Sequence, residues 1–457
     1  MTKPLSFSAF LMNTVNHNLH GLWREDEGRQ RDFNDIDLWI SLAKRLDEGG
    51  FDAIFFADVV GLYGNHCGGW KYHVEKGLQI PSNDPMVLLS ALAVHTKNLG
   101  LAFTASPLQE HPFNFARRVS TLDHISKGRI AWNMTTGFLD NAFRNFGYDG
   151  MVEHDERYKW LDEYTDVLYK LWEGSWDEGA LLKDKESGIY ADSDKVHKIN
   201  HVGERYKVEG PHLVAPSPQR TPVLFQAGSS PTGRDFAARN AEGVFIKAPN
   251  PELARKQIEE TRRIAIQHGR DGKDLQFYQG LSFVIGDTEE EAQRKAIELE
   301  NKVDLEMMVA HMAGAAGIDL GNVSMDIPLD DVDSQGMSTF FNWVKQNTPK
   351  RTPTVEDLAR YHVRTIRVVG TPESIADKLE QWQKAGVDGI NVISATIPGS
   401  YEEFIDYLMP VLRQRGLARN PDEEQTTFRN KLFGGDRLNK RHPASRYRDA
   451  FASKNLV

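Results

Sequence analysis

Two short stretches carry residue types that could act together on an anion. QAGSSPTGRDFA (226–237) follows the apolar run TPVLF and leads into helix-like sequence, so it reads as a strand that stops, turns on glycine and serine, and opens a helix. Such a turn offers backbone N–H groups and hydroxyls to a phosphate, from Gly228 through Ser229 and Ser230 to Gly233. It matches neither of the familiar glycine-rich nucleotide loops. EHDERYKW (153–160) opens a second helix. There His154 and Tyr158 stand four apart on one face near the helix start, where the dipole favours negative charge. Each stretch also has a purely structural reading. The first is then an ordinary turn with serine caps; in the second, Glu153 or Asp155 caps the helix while Tyr158 packs in the core.

The elements that would position these residues alternate between strand-like and helix-like. Apolar runs at 5–12, 51–58, 99–106, 129–136, 221–228, 243–249, 275–286 and 388–395 read as strands, several too buried to show polar alternation. Helical spacing follows most of them, with Asn34 as one expected N-cap and Asp84-Pro85 as a cap-and-first-turn start. Eight strands in this rhythm predict an α/β fold, a closed (β/α)₈ TIM barrel, with a doubly wound sheet as the alternative that the strand count disfavours. Reactive groups in such a barrel sit at the C-terminal strand ends. Here those ends carry Asp58, Thr104, Ser106, Asn133, Thr135, Thr136, Gly228-Ser229-Ser230, Ser394 and Thr396. Amides and hydroxyls in these places suit a polar, neutral-to-anionic ligand. Paired histidines and carboxylates of a metal hydrolase are missing, and His66 beside Cys67 looks too isolated for a metal, so no metal is expected.

The expected organisation is one barrel over 1–416, with insertions at about 175–220 and 302–371, then a polar C-terminal arm over 417–457. The second insertion is a lid candidate; the arm would pack on the barrel or at an oligomer interface. A net charge of −10 gives no basic footprint for nucleic acid, and no apolar run spans a membrane. A single cysteine excludes an internal disulfide framework, and a cytoplasmic location is the simplest reading.

Several long motifs in order carry a resemblance: HGLWR (20–24), FFADVVGLY (55–63), RRVSTLDHISKGRIAWNMTT (117–136), EHDERY (153–158), PSPQRTPVLFQAGSS (216–230) and the tail KLFGG…RYR. Over nearly its whole length the chain resembles the bacterial-luciferase-like flavin monooxygenases, in the branch with nitrilotriacetate, dibenzothiophene-sulfone, dimethyl-sulfide and long-chain-alkane monooxygenases. The resemblance implies a TIM barrel that accepts reduced FMN (FMNH2) from a separate NAD(P)H:FMN reductase, reacts it with O2 and transfers one oxygen atom to a small organic molecule. It places Asp58, Thr104, Asn133, His154, Tyr158, Gly228, Ser229 and Ser230 at FMN-contacting positions, with Tyr158 and the serine turn on the phosphate. It also puts His17, Tyr63, Gln79 and His311 at polar pocket positions, His17 and His311 being candidate catalytic residues. Thr14 and Phe138 stand where the alkane member has a cysteine and a histidine. Phe138, Leu139 and the stretch Met307–Met308–Met312 suggest an apolar pocket, with core packing the commoner role of methionines at such spacing, and an organosulfur compound or hydrocarbon is preferred to an aminopolycarboxylate. A homodimer or homotetramer is implied. The alternatives are an F420-dependent oxidoreductase on the same barrel and a non-catalytic flavin-binding protein.

Overall fold

The structure, a computed structural model, describes residues 3–64, 66–316, 321, 324–332, 338–347, 351–421 and 425–452. All eight expected strands form: β1 (Ser6–Met12), β2 (Ala53–Ala57), β3 (Gly100–Ala105), β4 (Ile130–Met134), β5 (Val223–Gln226), β6 (Gly243–Ile246), β7 (Gln276–Ile285) and β8 (Gly389–Ile393). Each pairs in parallel with the next, and β8 pairs with β1 from Ser6↔Gly389 to Phe10↔Ile393, which closes the barrel. Closure leaves no sheet edge among these strands, so their apolar runs are buried by helices outside and side chains within.

The barrel interior is aromatic on one side and small on the other. Phe55, Phe225 and Tyr278 pack there with Ala53, Ala102, Ala131 and Val223, and Phe428 and Leu432 of the arm complete the cluster from below. The arm is fixed by Arg429, which is 1% exposed and pairs through Nε and Nη2 with both carboxylate oxygens of Glu242 at 2.8 and 2.9 Å. Its guanidinium also donates to the carbonyls of Thr221 and Pro222.

The expected helix starts need one correction. Asp84 caps Pro85–His95 as expected, accepting from Met86 N–H. The first long helix, Ile36–Glu48, is capped by Asp35 and not Asn34. The Asp35 carboxylate accepts from Asp37 N–H, two residues on, whereas Asn34 is engaged across the surface by Asn83.

The insertion at 302–371 contains more regular structure than its sequence suggests. The helices Leu305–Ala316 and Val355–Thr365 belong to it, as does a strand, Arg367–Gly370, paired in parallel with the outer half of β7. That strand is too short for periodicity to separate it from a loop. The insertion has its own apolar core: Leu19 and Leu22 pack with Met308, Val309, Ala313, Val355 and Leu358. Part of the Gly/Ala-rich stretch 311–322 lies outside the described residues. Met307 and Met308 are buried core and Met312 packs against the second core, so none of the three forms the expected apolar pocket.

Candidate functional site

At the C-terminal mouth of the barrel lies a cavity of about 360 Å³. Asp58, Thr104, Asn133, His17, Tyr63, Gln79, Phe138 and His311 all line it, though they come from six separate elements of sequence. Thr104 and Asn133 face each other across β3 and β4. Asn133 Nδ2 donates to Thr104 Oγ1 at 3.1 Å, and Thr104 Oγ1 donates to the Phe56 carbonyl at 2.9 Å. Among the described residues Asn133 Oδ1 is buried with no partner. Apolar side chains of Phe10, Phe55, Phe245, Ile366 and Ile393 make up much of the remaining wall. Beyond Asp58 and Gln79 a polar cleft of about 440 Å³ adjoins it.

His154, Tyr158 and the glycine-serine turn do not line that cavity. They form a cradle beside it, joined through Ala227, which does. Ser230 caps the helix Pro231–Asn240, accepting from Gly233 N–H at 3.0 Å. His154 Nε2 lies 3.2 Å from Ser230 Oγ, and His154 Nδ1 lies 2.7 Å from Asp155 Oδ1. Tyr158 Oη accepts from Gln226 Nε2 at 3.4 Å, and a Cβ on Gly233 would come within 2.5 Å of that hydroxyl. Gly233 therefore lets the helix start approach Tyr158. Glu153 does cap the His154–Tyr169 helix, through the N–H groups of Asp155 and Glu156. Capping and the His154–Ser230 approach thus coexist. The expected alternatives do not compete.

A larger crevice, about 510 Å³, lies outside the barrel between the helices His154–Tyr169 and Pro231–Asn240 and the arm. Arg239 pairs there with Asp162, and Arg446 with Asp166. Mutually satisfied charges make it a packing seam, remote from the strand ends.

The sequence matches the family model for luciferase-like monooxygenases over residues 13–389. It is 42% identical over 453 residues to the long-chain alkane monooxygenase of Geobacillus thermodenitrificans, covering 98% of this chain and 99% of that one. It is 41% identical to the dimethyl-sulfide monooxygenase of Hyphomicrobium sulfonivorans, covering 100% and 96%. The crystal structure of DmoA from Hyphomicrobium sulfonivorans superposes with a TM-score of 0.92 at 40% identity, covering 99% of this chain and 97% of that one. This chain belongs to the luciferase-like monooxygenase family.

The electrostatics of the monooxygenase cavity follow from the burial of its titratable side chains. Burial, reinforced by Asp84, raises the Asp58 carboxyl to about 7, against a backbone hydrogen bond at Val59 that lowers it. Burial lowers His17 to about 3 and His311 to about 4; His311 assists in the first case, Lys247 and His73 in the second. The imidazoles are therefore neutral hydrogen-bonding groups near neutrality. Asn18 Nδ2 donates to His17 Nδ1 at 2.8 Å.

Sequence reading passed over Lys247, His362, Asn18, His20 and Asn391. Lys247 ends the GVFIK run of β6 and lines the cavity, with burial lowering its ammonium to about 8. A cation at a barrel strand end was a usable signal. His362 reaches the cavity from the helix Val355–Thr365, where nothing in the sequence marks it. The expected isolation of His66 and Cys67 is overturned too. Glu306 joins them, one ligand atom from each of the three lying within 4.8 Å of the others. His66 Nε2 is 3.4 Å from Glu306 Oε1, and Cys67 Sγ donates to the Gly321 carbonyl.

Proposed function

We propose that this monooxygenase is the oxygenase component of a two-component system. It takes reduced FMN from a separate NAD(P)H-dependent flavin reductase and oxygenates a small, largely apolar molecule. One observation supports the reading: a polar cradle at the β5 end continues through Ala227 into the cavity at the barrel mouth, where an amide oxygen, Asn133 Oδ1, is buried and unmatched among the described residues. A flavin nucleotide fits both parts. Ser229, Ser230, His154 and Tyr158 would hold its phosphate with hydroxyls and N–H groups. Asn133, Thr104 and Asp58 would line its ring, and Asn133 Oδ1 would accept from a ring N–H. Bound reduced flavin supplies the electrons that activate O2, one atom going to substrate and the other leaving as water. The protein's own work is to orient, exclude water and offer hydrogen bonds. The insertion Leu305–Thr365 has the placement of a lid, since His311 and His362 reach the cavity from it.

The apolar wall, with Phe138 43% exposed towards it, suits a hydrocarbon or organosulfur body. Lys247 is the one lysine or arginine on the wall among the described residues, enough to meet a single acceptor or acid group and too little for an aminopolycarboxylate. The two relatives named above act on alkanes and on dimethyl sulfide. Among the described residues no helix is long and apolar enough to cross a membrane, and we place the enzyme in the cytoplasm as a homodimer or homotetramer.

Anaerobic fluorescence titration with reduced FMN tests the cradle. His154→Ala and Tyr158→Phe should each weaken binding by about tenfold, the value of one charge-assisted hydrogen bond. Unchanged affinity in both variants removes the phosphate assignment.

A further inference from the structure

The HGLWR motif (20–24) lies outside the flavin cradle, and His20, Gly21, Leu22 and Arg24 all meet the segment from Lys302 into the helix Leu305–Ala316. Leu22, with the preceding Leu19, enters the insertion core beside Met308, Val309 and Ala313. The His20 carbonyl accepts from Asp304 N–H at 3.0 Å, and Arg24 Nη2 donates to the Lys302 carbonyl. Gly21 sits at φ +90°, and a Cβ there would come within 2.8 Å of Asp304 Cβ. Chain and helix are therefore pressed together just before the turn that carries His311.

At the centre of this contact His20 is 0% exposed. Its Nε2 lies 2.7 Å from His311 Nδ1, the rings meeting edge to face at 81°. The other nitrogen of His311, Nε2, lies 3.2 Å from the amide nitrogen of Gln79, Nε2, at the cavity wall. The remaining nitrogen, His20 Nδ1, is buried without a partner among the described residues.

A contact between two ring nitrogens needs one N–H and one lone pair, so only two arrangements are open. If His311 donates from Nδ1, His20 must carry its proton on the orphaned Nδ1. If His20 donates from Nε2, the orphan is a bare lone pair. A buried N–H without an acceptor is the rarer and costlier of the two. The second arrangement puts the His311 proton on Nε2, and Gln79 meets it with its amide oxygen after a half-turn of the side chain.

We propose that His20 is a positioning residue: by donating from Nε2 to His311 Nδ1 it fixes the His311 proton on Nε2, where the Gln79 amide oxygen accepts it, and so leaves the Gln79 amide N–H group at the cavity wall as a donor for an oxygen or sulfur acceptor on the substrate. This deepens the oxygenase reading and rests on it for the identity of the acceptor. The low proton affinity of both buried imidazoles agrees, because a neutral pair has only one shared proton to place.

The test is long-range ¹H–¹⁵N correlation spectroscopy on the full-length enzyme labelled at the histidine imidazoles, with His311→Asn assigning the signals. Wild type should show His311 protonated on Nε2. His20→Leu should release it to a mixture of tautomers, and His20→Gln, whose amide still donates, should restore the Nε2 form. A wild-type His311 protonated on Nδ1, or a tautomer indifferent to His20→Leu, overturns the proposal. If His20→Leu does not fold, the wild-type spectrum alone decides. Reduced-FMN binding measured on the same samples tests the oxygenase reading separately, since the tautomer is read without turnover.

Discussion

The two ends of the barrel are built on opposite rules. At the floor the central charges are answered, although Arg419 Nη2 beside Asp52 is buried without a partner among the described residues. Arg429 is met by Glu242 and two carbonyls, and Gln219 Nε2 donates to Asp123 Oδ1 at 2.8 Å and to the Ile130 carbonyl at 2.9 Å. At the mouth, polar groups are buried and left over: among the described residues Asn133 Oδ1, Asn391 Oδ1 and His20 Nδ1 have no partner. A satisfied buried network stabilises one structure, whereas an unsatisfied one costs stability unless a ligand completes it. The floor therefore reads as architecture and the mouth as a binding site.

The contrast breaks most visibly at Arg429. Arg429→Ala would strand the Glu242 carboxylate in the interior and cost about 3–5 kcal/mol in denaturant unfolding. Any flavin-binding defect should then track the unfolded fraction. Asn133→Leu should do the reverse, leaving unfolding free energy within about 1 kcal/mol of wild type, because it removes an unmatched oxygen, while reduced-FMN affinity falls at least about tenfold. A stability loss as large as that of Arg429→Ala would show that Asn133 is architecture as well.

The smallest expected effect is on acid stability, shared between both ends. Burial holds His17 at about 3 and His311 at about 4 at the mouth, and His442, which touches the Asn240 carbonyl below, at about 3. Each folded-state value lies below the unfolded 6.5, so the unfolded chain binds more protons and stability falls as the pH drops from about 6.5 towards 3. His442→Asn should flatten that slope in pH-dependent unfolding. A slope unchanged by the variant would remove His442 from the account.

Repetition and type were legible without coordinates. Eight apolar runs gave the barrel, since strands buried on both faces are continuous hydrophobic segments whatever they pack against. Strand-end position picked out Asp58, Thr104 and Asn133, because the fold dictates which end of each strand faces the site. His17, Tyr63, Gln79, His311 and Phe138 came from resemblance, and periodicity would not have found them.

What remained closed to sequence is relational. Nothing in HGLWR indicates that His20 lies 2.7 Å from a nitrogen 291 residues further along the chain. GVFIKAP does not say that its lysine enters a cavity also reached by His362, and HC at 66–67 does not announce Glu306. Local sequence determines which residues form strands and helices, because propensity and burial act over a few neighbours. The partners of a buried polar group, and hence its proton affinity, depend on segments brought together only when the barrel closes and the insertion folds across its mouth.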